Sequence, residues 1–409
     1  MSLYKNLVYF ITFLYGIYIL SFEASFYNDD SLFLSRGIDT FSVIDFSPHF
    51  PGYVVIIILG KFINLFINDS RYSLFLLTSL SSILLPFLLF FYVKLLSNEK
   101  NAFFVFLLSI SSLYLKNLSL SMLSDSVGLF LLFLSLYLFE LNKSKASGFV
   151  CSMALFARPS YFIFFISAFL YIYFTDKRRL KNLFIFFILG TFCFLVYTFL
   201  YNGYLYVEEA IRFIKGHFQI WGIGQNSDIS WSDNIFRFEN ILYLFLFFAI
   251  FKSKKEQFFL WFLFFSYLFW MIFAQNPDNL RHMIPLVFLA NIIIVLSFKN
   301  ITFFIPLFLI LNLYSYTKYD AKISPIEQVL EKIKNDKNSD KVVITNRGIE
   351  ILREKLENKI VDNYYKNSAD FVLKNQDYYK ITTEKQSSEK VEIFKGRFIG
   401  EHDLYLIYR

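Results

Sequence analysis

Apolar runs of helical length recur from the first residues to Thr317, and a chain built this way must place them in lipid or leave much of their surface in water. A helix crosses the hydrocarbon with about 20 apolar residues, and shorter ones are tolerated inside a bundle. By that measure the runs at 6–22, 72–93, 101–116, 124–141, 146–157, 160–175, 183–201, 238–252, 257–274, 282–298 and 301–316 read as eleven transmembrane helices. Composition agrees. Of 409 residues 56% are hydrophobic and 22% aromatic, while only 18% are charged. A single soluble core stops growing near about 250–300 residues and has no room for this much apolar surface. A soluble enzyme is excluded, as is a disordered or fibrous chain. The expectation is an α-helical polytopic membrane protein. Cys151 and Cys193 both fall in apolar runs, so neither a disulfide framework nor a metal-type cysteine spacing is present.

Lys and Arg in short loops report orientation. Lys94 and Lys100, Lys143 and Lys145, Lys177 to Lys181, Lys252 to Lys255, and Lys299 all fall in one set of alternate connections. That set is expected in the cytoplasm, with the N-terminus. The longer segments 23–71 and 202–237, and everything after the eleventh span, then face outward. The stretch 50–67 is apolar enough to cross but is interrupted by Gly52, Gly60 and Lys61. A crossing there would turn every later basic loop outward, so it reads as a helix in the outer interface. The first run follows only Lys5 and precedes no small-x-small cleavage site, which reads as a retained anchor.

Composition shifts near Thr317, and residues 318–409 are charged and mixed. Ser324-Pro325-Ile326-Glu327 is a helix-start signature with proline at the first helical position. A second helical pattern spans 348–357, and strands are expected at 341–345, 359–364, 377–383, 391–397 and 403–408. This is a small extracytoplasmic α/β domain without a recognisable chemical motif.

Ionisable groups within or beside a bundle are functional candidates. On this topology they gather at the outer face: Glu23, Asp29, Asp30, Arg36, His49, Asp125, Arg158, His217, Arg281 and His282. Asp29-Asp30 follow directly on the first span. A carboxylate there can act as a general base, and Asn28 or Asp29 can equally cap the next helix. Asp125, at the head of the fourth span, invites the same two readings. Arg158, in Ala157-Arg158-Pro159-Ser160, and Arg281, in Leu280-Arg281-His282, suit a phosphate gripped by guanidinium, or snorkelling to head groups. Gly216 to Gly224, with His217 and Trp221, and then Trp231 form a sugar-binding wall or an interfacial anchor.

This pattern resembles the GT-C superfamily of integral-membrane glycosyltransferases, in the branch of protein O-mannosyltransferases and lipid A aminoarabinose transferases. Asp29-Asp30 matches its acid pair after the first span, and Pro48-His49-Phe50-Pro51-Gly52-Tyr53 is similar to its His-Pro-Pro segment. Ser124-Asp125 matches a later acidic span head, SGFVCSMALFARPSYF a small-residue helix ending in Arg-Pro, and LRHMIPL a late Arg before an apolar Pro run. Two departures stand out: the second acid is Asp30 rather than Glu, and His49-Phe50-Pro51 lacks the double proline. The Lys that follows this motif in some members has no counterpart unless Lys61 serves.

The resemblance implies an inverting glycosyl transfer outside the cytoplasmic membrane, from a polyprenyl-phosphate sugar donor to a lipid, glycan or protein acceptor. Asp29 would be the base, with Asp30 beside it. Arg158, Arg281 and His282 would hold the lipid phosphate, and His49, Asp125 and His217 the substrates. Some relatives use a divalent metal, but no metal-ligand spacing stands out here. Membrane lipid is the expected surrounding partner and nucleic acid is not expected. Two other classes compete: a flippase or transporter for a lipid-linked glycan, and an O-antigen-type polymerase or ligase. Transporters place ionisable groups near the midplane of paired halves, whereas here they collect at one face.

Overall fold

The computed structural model describes residues 3–221, 229–298, 304–336, 341–363, 369, 372, 377–384 and 391–408. Lys299, Gly222 to Gly224 and the first residues of the run 301–316 lie outside them. Up to Tyr316 the chain is almost wholly helical. Five helices are long and apolar enough to cross a membrane: Leu3–Leu20, Ser70–Leu96, Lys177–Asn202, Lys255–Ala274 and Leu280–Ser297. A sixth appears if Glu99–Ile110 and Leu113–Leu120, bent by 62°, are taken as one.

Helix lengths support five or six crossings, and the remaining apolar runs form shorter helices. The runs at 124–141 and 146–157 form Ser124–Glu140 and Ser144–Ala157, helices of 17 and 14 residues. The last forms Ile305–Tyr316, of 12 residues. At 1.5 Å per residue these fall short of a hydrocarbon core about 30 Å thick. Helix Ser124–Glu140 is largely buried by its neighbours, so its apolar character reflects packing as much as lipid contact. The run 50–67 forms Val54–Ile67, a 14-residue helix packed against helices Asp29–Asp39 and Ser70–Leu96.

The bend at Ser111-Ser112 shows how sequence redirects a helix. The Ser112 hydroxyl accepts the Tyr114 N–H at 3.3 Å and starts a new helix. Every residue of Leu113–Leu120 is buried, including Lys116 and Asn117. Lys116 Nζ donates to the Tyr319 carbonyl at 2.6 Å and lies 4.8 Å from the Phe22 ring centroid. Asn117 Nδ2 donates to the Ile399 carbonyl at 2.9 Å.

The C-terminal region carries helix Pro325–Asn335, strand β1 (Val342–Thr345), helix Ile349–Lys355, and strands β2 (Ile360–Asp362), β3 (Tyr378–Thr382), β4 (Val391–Phe394) and β5 (Leu404–Tyr408). All seven fall where the sequence pattern expects them. The sheet order is β2-β1-β3-β5-β4, with β1 parallel to both neighbours and the remaining pairs antiparallel. Ser324 Oγ accepts the Glu327 N–H as the helix-start signature requires. The Glu327 carboxylate leaves its own helix, accepting the Phe26 N–H at 3.1 Å and pairing with Arg71.

The sheet is clamped to the segment after the first helix. Arg397, 0% exposed, bonds Glu401 through two nitrogens and donates to Ser25 Oγ at 2.6 Å. Ser25 Oγ also accepts the Ser324 N–H at 3.0 Å, and Tyr27 OH donates to the Gly400 carbonyl at 3.2 Å. Removing one member of a buried ion pair strands the other charge, which costs about 3–5 kcal/mol. Arg397→Met is therefore expected to lower the thermal unfolding midpoint in lipid markedly. Adding Glu401→Leu should restore much of the loss, since a buried pair replaced by apolar groups is often neutral.

Candidate functional site

The site is built on the first turn of helix Asp29–Asp39. Asn28 caps it, its side chain accepting the Ser31 N–H while Ser31 Oγ accepts the Asn28 N–H. Consecutive helical residues diverge by about 100°, so the two acids that follow point to different places. Asp29 turns to the tail. Its carboxylate accepts the N–H groups of Ile349, Glu350 and Ile351 at 3.1, 3.0 and 3.2 Å, capping helix Ile349–Lys355. Asp29 is thus a cap, though of a helix some 320 positions away in sequence. Asp30 turns to the bundle, where Arg281 Nη2 donates to it at 3.3 Å and His49 Nδ1 lies 3.8 Å away.

Their acidities part accordingly. Burial pushes Asp29 up to about 6, against the pull of the Ile351 and Glu350 N–H groups. Burial would raise Asp30 as well, but His49, Arg281 and Arg158 together outweigh it and hold that carboxyl below its ordinary value. Burial lowers His49, with Asp30 opposing and both arginines assisting.

Arg158 and Asp125 form a second pair, 3.1 Å apart, with side chains 7% and 3% exposed. Arg158 Nη1 also donates to Ser124 Oγ at 3.1 Å. Leu123, without a side-chain bond, occupies the cap of helix Ser124–Glu140, so Asp125 is left free to hold the guanidinium. Gly128 makes the approach possible, because a Cβ there would lie 2.5 Å from Arg158 Cβ. Gly37 does the same for the His49 loop, where a Cβ would meet Pro48 Cδ at 2.6 Å.

Helix Leu205–Trp221 closes one side. Phe213 stacks on His49 with centroids 5.8 Å apart, and His217 stacks in turn on Phe213. His217 Nε2 is 2.9 Å from the Ala274 carbonyl. His282 is buried within electrostatic reach of Arg281, Arg158 and His217. Of the eight residues given a role from the sequence, seven therefore converge, and Asp29 is the one directed elsewhere. Lys61 is not among them; it lies over the Tyr201 ring.

Sequence reading overlooked Tyr161 and Tyr267, whose rings pack edge to face at 6.1 Å. Tyr161 follows Arg158 by one turn, a spacing that signals a shared face. Tyr267 offered only a hydroxyl inside the apolar run FFLWFLFFSYLFWMIFA. Several buried polar atoms here have no partner among the described residues: Asp125 Oδ2, Arg158 Nε, Ser160 Oγ, Tyr161 OH, Arg281 Nε and His282 Nδ1. Buried polar atoms are rarely left so unless a ligand or water meets them. Among the described residues no three His, Cys, Asp or Glu side chains group as metal ligands, and Asp30 and Asp125 each already hold a guanidinium. No family model matches the sequence, and no curated protein is significantly similar to it.

Because the folded Asp29 pKa lies above the ordinary 3.8, the folded state holds the extra proton between those values. Stability then falls as pH rises from about 4 to about 6. Thermal midpoints across that range should show this decline in wild type, and Asp29→Asn should flatten it while retaining an oxygen for the cap.

Proposed function

We propose that this chain is an integral-membrane glycosyltransferase, moving a monosaccharide from a polyprenyl-phosphate donor to an acceptor hydroxyl on a lipid, glycan or protein, with inversion. The carrying observation is the meeting of Asp30 with Arg281, His49 and Arg158 at one end of the helical bundle, amid partnerless buried polar atoms. Helices Ser70–Leu96 and Ser124–Glu140 begin at this end and finish next to Lys94 and Lys143, at the other. With the basic loops read as cytoplasmic, this supports a site outside the cytoplasmic membrane and an N-terminus in the cytoplasm. Short helices sheltered in a bundle can serve as crossings, so the eleven-span topology belongs to the same proposal.

In this reading Asp30, rather than Asp29, is the base. The acceptor oxygen attacks the anomeric carbon as its proton passes to Asp30, and the bond from that carbon to the phosphate oxygen breaks. Polyprenyl phosphate leaves with its charge neutralised by Arg281 and Arg158. Arg281 is shared between Asp30 and the incoming phosphate. As the phosphate draws on it, Asp30 loses part of its cationic stabilisation and becomes more basic. His49 flanks the carboxylate on the other side, its Nδ1 3.8 Å away.

Release of polyprenyl phosphate from a panel of polyprenyl-phosphate hexoses, with purified protein in lipid and a crude acceptor extract, tests this. Asp30→Asn should lower release about 10²–10⁴-fold in a folded protein. Asp29→Asn should keep most of it. Loss confined to Asp29→Asn, with the tail still docked, would return the role of base to Asp29. Absence of release from every donor would favour the flippase or the diphosphate-donor polymerase.

A further inference from the structure

We propose that Arg347, in the C-terminal domain, is an additional anion-binding residue of this site, gripping the phosphate of the lipid-linked substrate together with Arg281. The identity of the ligand rests on the transferase reading; the placement of the residue does not.

Arg347 lies in the turn between β1 and helix Ile349–Lys355, and its backbone is fixed on both sides. Thr345 Oγ1 accepts the Arg347 N–H at 2.9 Å and donates to its carbonyl at 2.8 Å. Gly348 follows at φ +60, where a Cβ would lie 2.5 Å from Ile326 Cγ1. The next three N–H groups are those that bind Asp29. The turn is thereby held beside Asp30 by the Asp29 cap. The Arg347 charge acts on Tyr27 together with Arg281 and Asp30, and on His402 together with Arg237 and Asp278.

The charges decide what this residue is for. Arg281 faces Asp30, Arg158 faces Asp125 and Arg397 faces Glu401. The nearby Glu350 is taken by Arg353 and Glu239 by Arg237. Arg347 is exposed and, among the described residues, pairs with no carboxylate. It brings an exposed positive charge to the turn that Asp29 caps, and the Arg281 Nε has no acceptor among the described residues. Two guanidinium groups, one exposed and one largely buried, suit a phosphate entering from the membrane surface. The domain would then be part of the binding site rather than a cover over it.

Geranylgeranyl monophosphate, which carries no sugar, probes the site without requiring transfer. Its binding to the full chain in lipid nanodiscs would be measured for wild type, Arg347→Gln, Arg347→Lys and Arg36→Gln. Arg36 bonds Glu354 on the same tail helix, so its variant reports loosened docking alone. The expected result is about tenfold weaker binding for Arg347→Gln, partial recovery for Arg347→Lys and no change for Arg36→Gln. Unchanged affinity in Arg347→Gln, an equal loss in Arg36→Gln, or no binding by wild type would overturn the inference. Inorganic phosphate competing mole for mole would overturn the lipid source. Arg347-dependent binding without sugar transfer would leave the inference standing and remove the transferase reading. Transfer with an unaltered KM in Arg347→Gln would do the reverse.

Discussion

Two adjacent carboxylates on one helical turn, sent in different directions, organise one end of this protein's helical bundle. Asp29 reaches out and holds the first N–H groups of a helix in the C-terminal domain, while Asp30 reaches in and meets a guanidinium and an imidazole. A carboxylate at a helix N-terminus satisfies orphan donors and suits the positive end of the helix dipole. Anchoring the tail by the residue next to Asp30 ties the position of one to the position of the other. The separation of their acidities follows from the same geometry. Asp29 is surrounded by dipoles and its acidic neighbours, Asp30 by full positive charges.

Much of this was legible in the sequence. The helical character and each element of the terminal region follow from hydropathy period and turn chemistry. So does the gathering of Asp30, His49, Asp125, Arg158, His217, Arg281 and His282, because polar groups in an apolar chain have few places to go. The number of crossings was not legible. A run such as 124–141 is apolar whether its neighbours are lipid or helices, and hydropathy alone does not separate the two. Nor did the sequence say which acid of the pair faces the arginines, since local preference for capping is the same for both. Ser31, whose hydroxyl completes the cap with Asn28, settles the helix start and thereby the direction of each acid.

The inner cluster keeps opposite charges close to one-to-one in a setting that screens them poorly. Asp125 and Arg158 are nearly inaccessible, and a buried ion without its partner would be costly. Such a cluster accepts a new anion most readily at its edge, where one side chain can trade partners without stranding another. Arg281, with side-chain exposure of 16%, is placed for that exchange, whereas Arg158 is held by both Asp125 and Ser124.

The clamp between Ser25 and Arg397 joins positions 372 residues apart. Closing a loop of that length is slow compared with forming local helices, so this end of the bundle is among the last parts to assemble. During synthesis the segment carrying Asp29 and Asp30 is made early and then waits for the C-terminal domain. Until Ile349 to Ile351 arrive Asp29 has no helix to cap, and until Arg397 and Gly400 arrive Ser25 and Tyr27 lack their partners. A chain cut just before Arg397 would therefore keep its helices yet leave the segment after the first helix without its clamp.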